Sequence, residues 1–237
     1  MKTVSKGIVL KSIDYGDTSA VVRIFTNNLG LRAFLLRGVK GKRRKTPYLQ
    51  PLSLVELEFN LHPGRELIAG ASVKPLEAYQ QLADDVRKSM IVLFLAEVLS
   101  EALRTDAPDE DLFDYIATRL LTFDLEPFNP NFHLCFLAKL SRYLGFFPGL
   151  STSPQSFDPE EGAFSDIAQT GRLGSSGPEI QTLQRFFKEA PAQTRTTQLN
   201  RKVRNQLLEE LLRYYQLHID GMRPVKSLAV LRELLDD

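Results

Sequence analysis

Cysteine is all but missing from these 237 residues. The lone Cys135 has no partner for an internal disulfide, and one thiol cannot supply the sulfur ligands of a thiolate-rich zinc site. The fold must therefore stand on its core alone, and a 43% hydrophobic content is enough to build one. Histidine is scarce as well: His62, His133 and His218 are far apart and show no HxxxH-type spacing, so they do not read as metal ligands. Long apolar runs are lacking too. The longest, from Ile91 to Leu99, is broken by Glu97 and falls well short of the ~20 residues that span a bilayer. Lys2 and Lys6 are not followed by the apolar segment and small-residue cleavage site of a secretory signal, so a cytoplasmic location is expected. Catalytic signatures are missing in turn. There is no Walker-type phosphate loop and no GxSxG elbow, and Cys135 sits in an aromatic stretch without an activating cation. The acidic pairs Asp84–Asp85, Glu160–Glu161 and Glu209–Glu210 read as helix caps or solvated faces. The expectation is a protein without catalytic residues, cofactor or metal.

What is present is a charge asymmetry hidden under a net charge of +1. Residues 1–80 hold 13 Lys and Arg against 6 Asp and Glu, a net +7, whereas the remainder holds 17 against 23, a net −6. Within residues 1–48 the balance is 11 basic to 2 acidic. Such a field gathers polyanions at one end of the molecule, which bears on partners and not on fold.

The first 75 residues alternate in period two between turn residues. Strands are expected at Lys6–Ile13, Ser19–Thr26, Leu29–Arg37, Leu52–Leu61 and Glu66–Val73, with a basic loop from Gly38 to Tyr48. Five short strands of this kind fit a small Greek-key barrel of OB type. From Leu82 the period becomes 3.6, which predicts helices over Asp84–Arg104, Asp109–Phe123, Asn131–Leu144, Pro178–Lys188, Gln198–Asp220 and Lys226–Leu235. The expected class is α+β and multi-domain. A five-stranded OB-type barrel over 1–78 precedes an all-helical domain over 79–237, whose irregular segment at about 149–178 carries a small hairpin near Phe157–Ser165.

Lys40, Gly41, Lys42, Arg43, Arg44 and Lys45 place five cations in six residues between two expected strands. Single-strand binders combine a cationic groove along the phosphates with aromatic faces on which bases stack. Alternation puts Arg23 with Phe25, and Arg32 with Phe34, on shared faces, and Tyr48 closes the loop. The plainer reading keeps Phe25 and Phe34 in the core and leaves Arg23 and Arg32 solvated. A nuclear-localisation reading of Lys42–Lys45 suits a free tail better than a loop. The candidate DNA-binding set is Arg23, Arg32, Phe34, Arg37, Lys40, Lys42, Arg43, Arg44, Lys45 and Tyr48. A second cluster, Arg195, Arg201, Lys202 and Arg204, lies at the start of the longest expected helix, where cations oppose the helix dipole. It reads either as a surface for a partner's acidic groups or as a solvated helix end paired with nearby Glu residues.

Gly7, Ile8, Val9, Leu10 and Lys11 with Tyr15, then Thr26, Gly30 and Leu31, then Arg37, Gly38, Lys40, Gln50 and Pro51 follow a recognisable order and spacing. Together with Tyr214, Tyr215, His218, Lys226, Ser227 and Leu228 they give the chain a resemblance, along essentially its whole length, to the bacterial RecO family of recombination mediators. That resemblance implies a protein of the nucleoid that binds single- and double-stranded DNA and anneals complementary strands. It also implies work with the ring-forming partner RecR, docking onto the acidic tail of single-stranded-DNA-binding protein, and indirect help in loading RecA. Some members carry a four-cysteine zinc module; here Phe157 to Phe164 contains no cysteine, so no zinc is expected and packing of Phe157 and Phe164 must take its place. An adaptor in RNA metabolism is the alternative that a barrel alone would allow, and a hydrolase with a dispersed site ranks last.

Overall fold

The computed structural model describes residues 2–39, 47–61, 64, 66–82, 84–104, 107–168 and 178–234. Two compact units divide the chain, Met1–Pro127 and Phe128–Asp237. The switch from strands to helices near residue 80 thus falls inside the first unit.

In the first unit β1 (Lys2–Tyr15), β2 (Ser19–Thr26), β3 (Gly30–Leu36), β4 (Leu54–Asn60), β5 (Leu67–Ala69) and β6 (Ser72–Glu77) form one curled sheet in the order β5-β3-β2-β1-β4-β6. The pairs are antiparallel except β3 with β5. The expected class is therefore the observed one, with one strand more than the five expected. The run Glu66–Val73 is split because Gly70 takes φ 77, sending Leu67–Ala69 to one end of the sheet and Ser72–Glu77 to the other. Inside the curl pack Val9, Val22, Ile24, Leu36, Val55 and Leu57, with Phe34 edge-on to Phe59 at 5.2 Å. Gly7 is required by this closeness: a Cβ there would stand 2.5 Å from Ile24 Cγ2.

Two helices complete the unit, α1 (Val86–Ala102) and α2 (Glu110–Leu125). Asp85 caps α1 by accepting from the amides of Arg87 and Lys88, and Asp109 caps α2 by accepting from Leu112. A buried polar brace ties their ends together. The Asp124 carboxylate accepts three backbone amides, from Gln80, Gln81 and Leu82, at 2.7 to 2.8 Å. Lys88, also buried, donates from Nζ to the carbonyls of Asp124 and Glu126 at 2.8 and 2.7 Å and to Gln81 Oε1 at 3.1 Å. The Asp124 carboxylate oxygens and Lys88 Nζ thus all have partners, which is the condition for burying charge at all.

The second unit is built around α3 (Phe132–Tyr143), nine of whose twelve residues are buried, which makes it the central helix. Around it lie α4 (Pro178–Lys188), the one-turn α5 (Pro191–Thr194), α6 (Arg201–His218) and α7 (Leu228–Leu234). The expected small hairpin is present as β7 (Ser156–Asp158) and β8 (Ala163–Ser165). Phe157 and Phe164 are buried with ring centroids 4.6 Å apart, and Phe157 meets Tyr214 edge-on at 5.3 Å. Phe187 joins the same cluster at 6.3 Å from Phe157. The short α5 escaped the sequence reading because a single turn carries no periodicity.

Candidate nucleic-acid interface

The cations of the first unit divide into neutralised and unneutralised groups. On the β4–β6 side, Lys2 pairs with Glu58 at 2.6 Å and Lys74 with Glu56 at 2.8 Å. Exposed pairs of this kind contribute little stability, but they cancel the local field. On the β1–β2 side the register sets Lys11 directly opposite Arg23. Like charges facing each other across an antiparallel pair are destabilising. Neither side chain has an ion pair among the described residues, so their field reaches solvent.

β1 continues past its β4 partner. β4 pairs with β1 only as far as Ile8, whereas β1 and β2 stay paired to Tyr15 and Ser19. Lys11–Tyr15 is therefore an exposed edge of the sheet, paired only with β2, which β3 flanks on its other side. A register shift between Val9 and Lys11 re-aims it, after which alternation puts Lys11, Ile13 and Tyr15 on one face and Ser12 and Asp14 on the other. Ile13 is 51% exposed and Tyr15 60%, so two cations, an aliphatic side chain and a phenol share one solvent face. Of this face the sequence pointed to Arg23 alone. The signal was there in a β1 pattern that stays polar and apolar by turns right up to the Gly16 turn.

The residues expected from sequence fall in different places. Phe34 is 0% exposed inside the curl, so it is corrected from a stacking platform to a core side chain. Phe25 is likewise buried, against Phe113 of α2 at 6.2 Å. The within-strand alternation holds, but the two strands present opposite faces. Arg32 stands opposite Ile24 and so shares the core side, whereas Arg23 stands opposite Ala33 on the outer side. Arg23 and Arg32 therefore do not form one patch. Arg37 is exposed just beyond β3, and Tyr48 is half-buried against the core of the curl. Lys40, Lys42, Arg43, Arg44 and Lys45 lie outside the described residues.

In the second unit Arg195 and Arg204 line one cleft, together with Asn129, Asn131 and Thr197; Arg201 and Lys202, both exposed, are not in its wall. Arg204 donates from Nε to Asn131 Oδ1 and from a terminal nitrogen to the Leu199 carbonyl, each at 3.0 Å. Both acceptors are neutral, and partial burial draws the Arg204 pKa below its usual value. Beneath it the buried His133 is held neutral, its pKa pushed down to about 3 by burial first and by the Arg204 charge second. The cleft is positive and has no acidic residue among the described residues of its wall, so it suits an anionic group.

Among the described residues no group of three or more His, Cys, Asp and Glu is placed to hold a metal, and no helix is long and apolar enough to cross a membrane. Cys135 is buried and accepts a hydrogen bond from the Thr194 hydroxyl at 3.4 Å.

Comparison with known proteins gives the same picture along the whole chain. Residues 1–79 match the family described as Recombination protein O N terminal, and residues 83–229 match Recombination protein O C terminal. The chain is 33% identical over 235 residues to the DNA repair protein RecO of Christiangramia forsetii, covering 97% of this chain and 98% of that protein. It is 34% identical over 238 residues to the DNA repair protein RecO of Bacteroides fragilis, at 97% and 98% coverage. The DNA repair protein RecO of Flavobacterium psychrophilum is 31% identical over 238 residues, with 99% of each chain covered.

Proposed function

The chain belongs to the RecO family of DNA repair proteins, and from that membership we propose that it is a non-enzymatic recombination mediator whose N-terminal sheet holds DNA by its phosphates. The observation that carries this reading is the exposed β1 edge, where Lys11 and Arg23 face each other without an acid between them and Tyr15 and Ile13 stand exposed on the same face. Cations neutralise phosphates with release of counterions, and an exposed ring offers a sequence-tolerant surface to bases. Annealing of complementary strands asks for nothing more, since neutralised phosphates and free base edges suffice and no bond is made or broken. Arg37, Tyr48 and the loop cations Lys40, Lys42, Arg43, Arg44 and Lys45 extend this surface in the proposal.

The finer reading has the protein binding single- and double-stranded DNA in the cytoplasm at the nucleoid, acting with RecR and assisting RecA loading. The cleft of Arg195 and Arg204, flanked by Arg201 and Lys202, would receive the acidic tail of single-stranded-DNA-binding protein. The family boundary near residue 80 supports the proposed division into a barrel domain over 1–78 and a helical domain over 79–237.

The test is the salt dependence of single-strand binding. Replacing Lys11 and Arg23 together by Glu removes two phosphate contacts, so the slope of log K against log salt is expected to flatten by roughly 1.4. An unchanged slope would take the β1 edge out of the interface.

A further inference from the structure

A hollow of about 430 Å³ lies within the first unit, between α1 and the β6 side of the sheet. That volume falls in the ~300–1,000 Å³ range of small-ligand sites. Its walls include Tyr48, Pro75, Tyr79, Met90 and Leu93, and among the described residues its one charged lining residue is Glu77. The Tyr79 hydroxyl is spent on the Leu52 carbonyl at 2.6 Å, which holds the ring as a wall. On α1, Val86, Met90 and Leu93 follow one another at i, i+4 and i+7, and Val86 and Leu93 remain largely exposed.

Place and charge select the occupant. The Val9 amide donates to the Ser53 carbonyl at 3.0 Å and the Leu52 amide to the Val9 carbonyl at 2.6 Å. The wall of the hollow therefore touches β1 two residues before Lys11, a separation of roughly 7 Å along a strand. A strand whose phosphates lie on Lys11 and Arg23 has its next base within reach of the opening. Among the described residues no cation lines the hollow, so none there draws a phosphate in, and Glu77 repels an acidic peptide. A flat ligand with two apolar faces and a hydrogen-bond-donating edge satisfies both the rings and the carboxylate; an exocyclic amino group of a base is such an edge.

We propose that this hollow is a nucleobase site, which takes one unstacked base of the bound strand against Tyr48 with its amino edge toward Glu77. The proposal rests on the DNA-binding reading and adds to it a contact that depends on the base.

Full-length protein is titrated at low salt with an oligocytidine strand of about twelve nucleotides and with a wholly abasic strand of the same length. Oligocytidine is expected to bind about tenfold tighter. Ala78→Phe, which fills the hollow from its exposed rim, is expected to lower the ratio of the two affinities several-fold, leaving the part that Tyr15 supplies. Photocrosslinking of wild-type protein to a strand carrying 5-iodocytosine, independent of any variant's folding, is expected to mark Tyr48 or Tyr79. Equal affinities, a ratio untouched by Ala78→Phe, or crosslinks confined to Tyr15 overturn the site. If the abasic strand binds without a base preference, the DNA reading stands and an apolar side chain of a protein partner becomes the occupant. If neither strand binds at low salt, both fall.

Discussion

His133 shows how burial converts a titratable side chain into a structural one. Its pKa in the folded protein is about 3, against an ordinary 6.5, because burial and the Arg204 charge both disfavour the imidazolium. Between those two values the unfolded chain binds the extra proton and the folded chain does not, so stability rises with pH across that window and is fully present above about 6.5. Urea unfolding at about pH 7 and pH 5 is expected to show lower stability at the lower pH, and His133→Leu is expected to flatten the difference. Nothing in the sequence near His133 announced this, beyond its place beside Phe132. The same holds for Lys88 and Asp124, whose buried brace joins positions 36 residues apart. By contrast the roles of Asp85 and Asp109 follow from local chemistry, each a side-chain cap at a helix start, and such features can be read from a handful of neighbours.

Among the elements, helices were the most legible. The four-residue stripe through Leu207, Leu211 and Tyr215 is buried along α6 as its period demands, and the Tyr215 hydroxyl donates to the Leu137 carbonyl at 2.7 Å. Strand count was less legible. A single apolar run near Gly70 served two edges of a curled sheet, because period two states which face a residue occupies and not which neighbour it pairs with. The β7–β8 hairpin is the element whose stability depends most on aromatic packing. Phe157 lies between Phe164, Phe187 and Tyr214, so Phe157→Ala leaves a cavity in that cluster and is expected to cost about 3–5 kcal/mol. Chemical denaturation measures it; a loss under about 1 kcal/mol would mean that the hairpin does not depend on the cluster. Zinc chelation is expected to leave the wild-type melting temperature unchanged, since the stretch from Phe157 to Phe164 offers no thiolate.

Over the whole molecule, charge separates the two proposed partners. The first 80 residues carry a net +7 and the rest a net −6, yet the acidic part contains a cleft lined by Arg195 and Arg204 without an acid among its described residues. Reversal of Lys42, Arg43, Arg44 and Lys45 to Glu is expected to flatten the single-strand salt slope by roughly 3. Arg195→Glu with Arg204→Glu is expected to weaken capture of an acidic, Phe-terminated peptide while the DNA slope holds. Equal effects of both sets on DNA would merge the two surfaces into one.

Composition and periodicity determined the class of this protein: a basic strand-rich beginning, a helical remainder, and a chain that has to be held by its core because it has one cysteine. Those features are sums over local residues, so order along the chain is enough to reveal them. The tertiary structure decided which side chains meet. Phe34 went to the core and Arg23 to the outer face, Lys11 came to stand against Arg23, and Tyr48 came to wall a hollow beside them. Register and burial are set by pairing partners distant in sequence, and the β1 edge that carries Lys11 is exposed because β4 stops at the level of Ile8 while β1 continues.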